Sequence, residues 1–196
     1  QRRPSLTKGE RVVLDSVDTI ADGIATRTTG EKTFQVIQER VDEVVTVSDD
    51  EIAVALTTLL ERGKTLVEGA GAVPLAALMA GKIDHEEGET IVPALCGGNI
   101  DMNTLTTVIV RGLVETGRYL RLRTTLHDHP GALNQFLEII SAHGGNIYAI
   151  RHDRTSRDVA MNDAEVEVDL ETRGHDHVDE LVGALEEAGY AIDVLT

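Results

Sequence analysis

A cysteine followed by two glycines and an asparagine, Cys96-Gly97-Gly98-Asn99, is the group of residues best suited to contact a small ligand. A thiol at neutral pH is an uncharged, weak hydrogen-bond donor. Glycines lack a Cβ, so the backbone beside Cys96 can approach a ligand closely. A lone cysteine is alternatively a small apolar side chain packed in a core. The two adjacent glycines favour the ligand-contacting interpretation.

A second candidate site is the turn Asp128-His129-Pro130-Gly131-Ala132-Leu133, which leads into a helical pattern. Pro130 restricts φ in the turn, and Gly131 leaves room for a ligand. The positive end of the helix that follows would favour a carboxylate. The alternative is a scaffold loop that binds nothing and serves only dimerisation.

The histidines do not predict a metal site. His127 and His129 are separated by one residue, as are His175 and His177. A tetrahedral site needs a third and a fourth ligand, and neither pair has them in view. We therefore expect no bound metal.

The elements that would position Cys96 alternate between helix and strand. The spacing of apolar residues predicts four helices and two short strands. The helices cover residues 31–41, 49–62, 69–80 and 101–115, and the strands cover 44–47 and 91–95. The second of these strands is predicted to be buried. Ser48 and Glu51 have the spacing of a capping box. The alternation is typical of a parallel sheet with helices on its faces. Because two strands cannot bury such a sheet, residues 1–116 are predicted to be an incomplete domain.

Residues 118–196 have the pattern of a complete small domain. Apolar and polar residues alternate along the predicted first strand, 120–126, and the third, 164–170. The second strand is predicted at 146–152 and the fourth at 190–195, with helical stripes after the first and third. The order βαββαβ is the ferredoxin-like arrangement. The chain is thus predicted to be α/β, with a boundary near Gly117.

The composition restricts the classes of function. Lys and Arg number 18 against 34 Asp and Glu, giving a formal net charge of −16, and the aromatic residues are three Tyr and two Phe. A chain so acidic and so poor in rings is not expected to bind nucleic acid or an anionic membrane. Because Lys is scarce and acidic residues are plentiful, two interpretations are open. The chain is either adapted to high salt or an ordinary acidic protein. The single cysteine and the lack of a long apolar run predict a cytoplasmic location.

Six segments carry a resemblance to a known family. In the first half, VDTIADGI (17–24), VVTVSDDE (44–51), LVEGAGA (66–72) and CGGNID (96–101) resemble the C-terminal half of the catalytic domain of threonine dehydratase, also called threonine ammonia-lyase. In the second half, LHDHPGAL (126–133) and HGGNIYAIRHDR (143–154) resemble the ACT domain attached to that enzyme. The resemblance implies a partial fold-type II lyase domain and a regulatory ACT domain. The implied reaction converts L-threonine to 2-oxobutanoate and ammonia in isoleucine biosynthesis.

The cofactor implied by this resemblance is pyridoxal 5′-phosphate. Cys96 would contact the pyridine nitrogen, and as a neutral donor it would leave the ring unprotonated, which suits β-elimination. Gly97, Gly98 and Asn99 would also border the cofactor. Glu68 would lie near the ring, or alternatively would only complement a helix N-terminus. The Schiff-base lysine and the glycine-rich phosphate loop are expected upstream, so we expect no catalytic residue in this chain and no activity from it alone.

The ACT resemblance implies an amino-acid effector bound between paired domains. Its contacts would come from Asp128, Gly131, Ala132 and Leu133 in the turn, and from 146–147 (Asn146 and Ile147) at the start of the second strand. Isoleucine is the expected inhibitor and valine the counter-effector, in a homo-oligomer. The alternative function is a free-standing ACT module that binds an amino acid without catalysis.

Overall fold

The chain forms two compact units in the computed structural model, which describes residues 9–195. The N-terminal unit is Gln1–Gly112 and the C-terminal unit is Leu113–Thr196. Within residues 9–195, no helix combines the length and the apolar character needed to cross a membrane.

The described part of the N-terminal unit is helical. A short 3₁₀ turn and four helices follow one another along the chain. They are the turn Asp22–Ile24, α1 (Glu31–Arg40), α2 (Asp49–Thr58), α3 (Gly69–Met79) and α4 (Met102–Glu115), which crosses the boundary between the units. The core of this unit includes Leu56 of α2, Ala72 and Ala76 of α3, and Val108 of α4, all nearly inaccessible to solvent. The helices therefore bury their apolar faces against one another.

The capping box predicted at the start of α2 is confirmed. The Glu51 N–H donates to Ser48 Oγ at 3.2 Å, and the Ser48 N–H donates to Glu51 Oε2 at 2.7 Å. Lys82 Nζ donates to the same carboxylate oxygen at 2.6 Å. This hydrogen bond from Lys82, followed by the one from the Ser48 backbone, lowers the pKa of Glu51. The helical path continues as a π-helical turn to Gly63, and Lys64 takes the left-handed conformation at φ +50°.

The predicted parallel sheet is not confirmed. Neither 44–47 nor 91–95 is a strand, and no residue between 9 and 112 belongs to a β-ladder. The prediction that 91–95 is buried is also wrong, because Val92 is 82% exposed and Leu95 is 39% exposed. Strand hydrogen bonds require a neighbouring strand, and the described part of this unit supplies none.

The C-terminal unit has the predicted order βαββαβ. Its elements are β1 (Tyr119–His127), α5 (Ala132–Ala142), β2 (Asn146–Asp153), β3 (Asp163–Glu171), α6 (His175–Glu187) and β4 (Asp193–Val194). The four strands form an antiparallel sheet in the order β2-β3-β1-β4. In this order, the strand β2 lies at one edge of the sheet. The last strand, β4, is shorter than the predicted 190–195.

Alternation along β1 and β3 separates a core face from a charged face. Leu122 on β1 and Val168 on β3 are fully buried with Phe136 of α5 and Leu181 of α6. The polar residues between the buried positions form cross-strand ion pairs. Two of these pairs are Arg121 with Asp169 and Arg123 with Glu167. These carboxylates are thus bonded across the strand register.

Candidate functional site

Glu68 lies at the N-cap position of α3, between two glycines from distant parts of the chain. A Cβ added at Gly97 would lie 2.4 Å from Glu68 Oε1, and one added at Gly23 would lie 2.7 Å from the same oxygen. The Glu68 N–H donates to the Gly97 carbonyl at 3.3 Å. The structure therefore brings together Glu68 and Gly97, two of the residues expected to border the cofactor, and Gly23 lies beside them.

Cys96 packs against the first turn of α3 through its backbone, and its side chain is exposed. A Cβ at Gly71 would come within 1.9 Å of the Cys96 carbonyl oxygen, so only glycine permits this approach. The exposed thiol does not match the alternative of a cysteine packed in the core. The lone thiol of the chain thus lies on the same loop as Gly97, free to act as a hydrogen-bond donor.

The other residues predicted to border the cofactor are less closely packed. Gly98 and Asn99 are exposed, and a Cβ at Gly98 would meet only the Leu66 carbonyl at 3.9 Å. Asp101 caps the start of α4. Its Oδ1 accepts from the N–H groups of Asn103 at 2.9 Å and Thr104 at 3.2 Å.

An anchor that the sequence did not predict holds the segment before Gly23. Asp49 Oδ1 accepts from the Thr19 hydroxyl at 2.6 Å and from the Ile20 N–H at 3.3 Å. The Ile20 carbonyl lies so close to Gly69 that a Cβ there would be 2.4 Å away. The first turns of α2 and α3 therefore fix the loop that faces Glu68. Thirty residues separate Asp49 from Thr19, so no local pattern could indicate this contact.

The predicted effector turn lines a cavity of about 150 Å³ in the C-terminal unit. Asp128 Oδ1 accepts from Arg154 Nη2 at 2.9 Å across the cavity wall. Gly131 has φ +93°, and α5 begins there without a side-chain cap. The lining residues are Leu126, Asp128, His129, Pro130, Gly131, Ala132, Leu133, His152 and Arg154. The structure thus brings together four of the predicted effector residues, Asp128, Gly131, Ala132 and Leu133.

The two remaining effector residues lie at the opposite end of the sheet. Asn146 pairs with Glu171 and donates to its carboxylate at 2.7 Å, and Ile147 pairs with Leu170. Asp128 follows the other end of β1, where His127 pairs with Asp163. Because a strand rises about 3.3 Å per residue, roughly 25 Å separates the two ends. One copy of the chain therefore does not bring Asn146 and Ile147 to the cavity.

His152 and Arg154 line the cavity, although the sequence assigned them no role. Both residues occur in the segment HGGNIYAIRHDR, at its C-terminal end. They reach the cavity because β2 runs toward the end of the sheet where the Asp128 turn lies. The opposite charges of Asp128 and Arg154 were a possible signal, but 26 positions separate them and no periodicity links them.

Among residues 9–195, no group of three or more His, Cys, Asp or Glu is arranged to hold a metal ion. His127 and His129 have ring centroids 6.1 Å apart. His127 Nδ1 lies 3.1 Å from Asp163 Oδ1, whereas His129 Nδ1 lies 3.1 Å from the Pro130 carbonyl. His177 is buried and lies between the Arg173 N–H and the His143 carbonyl. Each of these three histidine side chains therefore has a polar partner within the protein.

The chain is similar along nearly its whole length to L-threonine ammonia-lyases. It is 48% identical over 191 residues to the enzyme of Geobacter sulfurreducens, a match that covers 97% of this chain and 47% of that protein. It is 38% identical over 191 residues to the enzyme of Thermotoga maritima, again covering 97% and 47% of the two chains. The chain thus spans about half the length of the curated relatives it matches.

A solved structure and a family profile agree with these relatives. The processed form of threonine deaminase isoform 2 from Solanum lycopersicum is 36% identical, with a TM-score of 0.50 over 56% of this chain and 32% of that chain. The profile of the family described as pyridoxal-phosphate dependent enzyme matches residues 3–97. The family and the relatives imply pyridoxal 5′-phosphate in the complete enzyme, and residues 3–97 of this chain are similar to the pyridoxal-phosphate dependent enzyme family.

Proposed function

We propose that this chain forms the C-terminal part of a pyridoxal-phosphate dependent L-threonine ammonia-lyase, with the end of the catalytic domain followed by an ACT regulatory domain. The observation that carries the proposal is the similarity to two L-threonine ammonia-lyases over 97% of the chain. The complete enzyme would convert L-threonine to 2-oxobutanoate and ammonia in the cytoplasm, as a step toward isoleucine.

The residues around Glu68 fit the cofactor in two respects. Because Gly23 and Gly97 lack a Cβ, the Glu68 carboxylate lies directly against their backbone, and the exposed Cys96 thiol is a neutral donor. When bound, pyridoxal phosphate supplies an electron sink for bond breaking at the α-carbon of an amino acid. Cys96 would donate a hydrogen bond to the pyridine nitrogen, and residues 97–99 would supply the backbone beside the ring.

Substitutions at Cys96 test this assignment in the longer enzyme that includes this chain. Cys96→Ser should keep lyase activity because a hydroxyl is also a neutral donor. Cys96→Ala should lower the rate about fivefold, which corresponds to the loss of about 1 kcal/mol from one hydrogen bond. Cys96→Asp should divert product toward racemised or transaminated amino acid, because a carboxylate would keep a proton on the ring.

The readout is the ratio of 2-oxobutanoate to racemised or exchanged amino acid in the three variants. An unchanged ratio in Cys96→Asp, with cofactor still bound, would mean that Cys96 does not face the pyridine nitrogen. Absence of threonine ammonia-lyase activity in the unmodified enzyme would overturn the catalytic proposal itself.

The exposed edge of the C-terminal sheet supports pairing with a second copy of this chain. Ile147, Tyr148 and Ile150 on the edge strand β2 are 37%, 70% and 39% exposed. An unpaired edge strand with apolar side chains is suited to pair with another strand. Antiparallel pairing of two β2 strands would place Asn146 of one copy beside Asp153 of the other, at the end of the sheet where the Asp128 turn lies. The effector residues that one copy separates would then meet between two copies.

Calorimetric titration of the 196-residue chain with L-isoleucine and L-valine tests the regulatory part. Asp128→Ala and Asn146→Ala should each weaken binding, while Asn134→Ala on the exposed face of α5 should not. Unchanged affinity in the first two variants would mean that the assigned site is wrong. Binding of an amino acid by a protein whose longer form has no lyase activity would favour the free-standing regulatory module.

A further inference from the structure

The ion pair between Asp128 and Arg154 occupies a wall of the cavity that the effector turn lines. The Asp128 carboxylate accepts from the Arg154 guanidinium at 2.9 Å, and both residues line the cavity. The Arg154 side chain is 65% exposed and that of Asp128 is 25% exposed. A pair this accessible to water contributes little net stability, so a ligand can replace it at small cost.

The Asp128 carboxylate is bonded to Arg154 rather than to the helix that follows it. The helix α5 begins at Gly131 without any side-chain cap, so the Asp128 carboxylate is not engaged in holding the helix start. Its main-chain N–H already bonds to the Asn162 carbonyl at 2.8 Å. The carboxylate instead accepts a hydrogen bond from Arg154, the residue just beyond the end of β2.

The cavity combines both charges with an apolar surface. Leu126, Ala132 and Leu133 supply aliphatic atoms, while Asp128 and Arg154 supply one negative and one positive group. The cavity volume of about 150 Å³ is on the scale of a small organic molecule. A small aliphatic α-amino acid has matching chemistry, because it carries an ammonium, a carboxylate and an apolar side chain on one carbon.

We propose that Arg154 binds the carboxylate of an aliphatic amino-acid effector while Asp128 binds its ammonium, and that the Asp128–Arg154 pair is the closed form of the site without effector. This assignment rests on the proposed regulatory function. Arg154 is then a binding residue, and the effector breaks the Asp128–Arg154 ion pair when it binds. Arginine is suited to this role because its planar guanidinium can donate two parallel hydrogen bonds to one carboxylate.

The test compares two ligands that differ only in the carboxylate. L-Isoleucine and L-isoleucinamide are titrated into the 196-residue chain, and the preference for isoleucine is taken as the ratio of the two dissociation constants. In Arg154→Gln this preference should fall about tenfold, since a hydrogen bond to a charged group is lost. Isoleucinamide itself should bind as well or more tightly, because Asp128 no longer has its arginine partner. Arg157→Gln removes the same charge three residues away, outside the cavity lining, and should change neither affinity.

The possible outcomes separate this assignment from the proposed function. If the unmodified chain binds neither isoleucine nor valine, the effector function and the role of Arg154 are both wrong. If it binds isoleucine and Arg154→Gln keeps the full preference, only the role of Arg154 is wrong. Equal weakening of both ligands would mean that Arg154 is merely structural. Tighter binding of both would mean that Arg154 only blocks the site through its ion pair with Asp128 and does not bind the carboxylate. Should Arg154→Gln fail to fold, Arg154→Lys keeps the charge but not the fork and should still lose part of the preference.

Discussion

Gly97 and Gly98 are neighbours in the loop after Cys96, and a side chain would affect them differently. Gly97 has φ +79° and faces the Glu68 carboxylate, whereas Gly98 faces nearly open space. Gly97→Ala should therefore reduce the free energy of unfolding by about 1–2 kcal/mol through left-handed strain, and should also displace Glu68. Gly98→Ala should change it by less than about 0.5 kcal/mol. Urea denaturation followed by circular dichroism measures both, and equal losses would contradict the close approach of Gly97 to Glu68.

Asp169 should contribute to stability in a defined pH range. The two hydrogen bonds from Arg121, at 2.5 and 2.9 Å, lower the pKa of the Asp169 carboxyl. Because the pKa is lower in the folded state, this stabilisation is present above the unfolded-state value of about 3.9 and is lost as the pH falls through the folded-state value. Asp169→Asn should lower the free energy of unfolding by about 1 kcal/mol at pH 7 and flatten its decline below about pH 4.

The control for this prediction is Asp158→Asn, which removes an exposed carboxylate in the connection between β2 and β3. Its acid unfolding curve should match that of the unmodified chain. If Asp169→Asn and Asp158→Asn have the same curve between pH 2 and about pH 4, the Arg121 contact does not stabilise the folded state in that range.

At the scale of elements, the start of α2 depends on one hydroxyl. Ser48 Oγ accepts the Glu51 N–H and closes a capping box that Lys82 also contacts. Ser48→Ala leaves a helix-end donor without its partner and should cost about 1 kcal/mol of unfolding free energy. Ser16→Ala at an exposed position outside the helices should cost much less. Thermal unfolding by circular dichroism distinguishes them, and similar melting temperatures for both variants would argue against a stabilising cap.

The helices of the N-terminal unit also illustrate how neighbouring elements build the candidate site. The glycines at the start of α3 allow the Ile20 and Cys96 carbonyls to approach the helix backbone. Asp49 at the start of α2 holds Thr19 and Ile20 in place. Two helix starts therefore determine where the Gly23 and Cys96 loops lie, since each loop is fixed by contacts made through backbone atoms.

For the whole molecule, the excess of carboxylates predicts a dependence of stability on salt. With a formal net charge of −16, repulsion among surface charges destabilises the compact state. Potassium chloride screens this repulsion, so the melting temperature should rise with salt into the molar range. Differential scanning calorimetry at low and high KCl measures the effect. A melting temperature independent of KCl would indicate an ordinary acidic protein without adaptation to salt.

The sequence by itself determined the features that depend on neighbouring residues. The alternation along β1 and β3 predicted which side chains are buried, because side chains on a strand point to opposite faces in turn. The spacing of Ser48 and Glu51 predicted the cap of α2, since both hydrogen bonds form within one helical turn. The motifs around Glu68 and Cys96 also indicated the family that residues 3–97 match.

Only the tertiary structure decided the features that join distant parts of the chain. The predicted strands 44–47 and 91–95 have no pairing partner among residues 9–112, and pairing cannot be read from the composition of one strand. The strand register places Asn146 far from Asp128 but places Arg154 beside it. Likewise, Gly23, Glu68 and Gly97 meet only after α3 packs against two loops. Contacts of this kind depend on register and packing between segments, which a local pattern of residues does not encode.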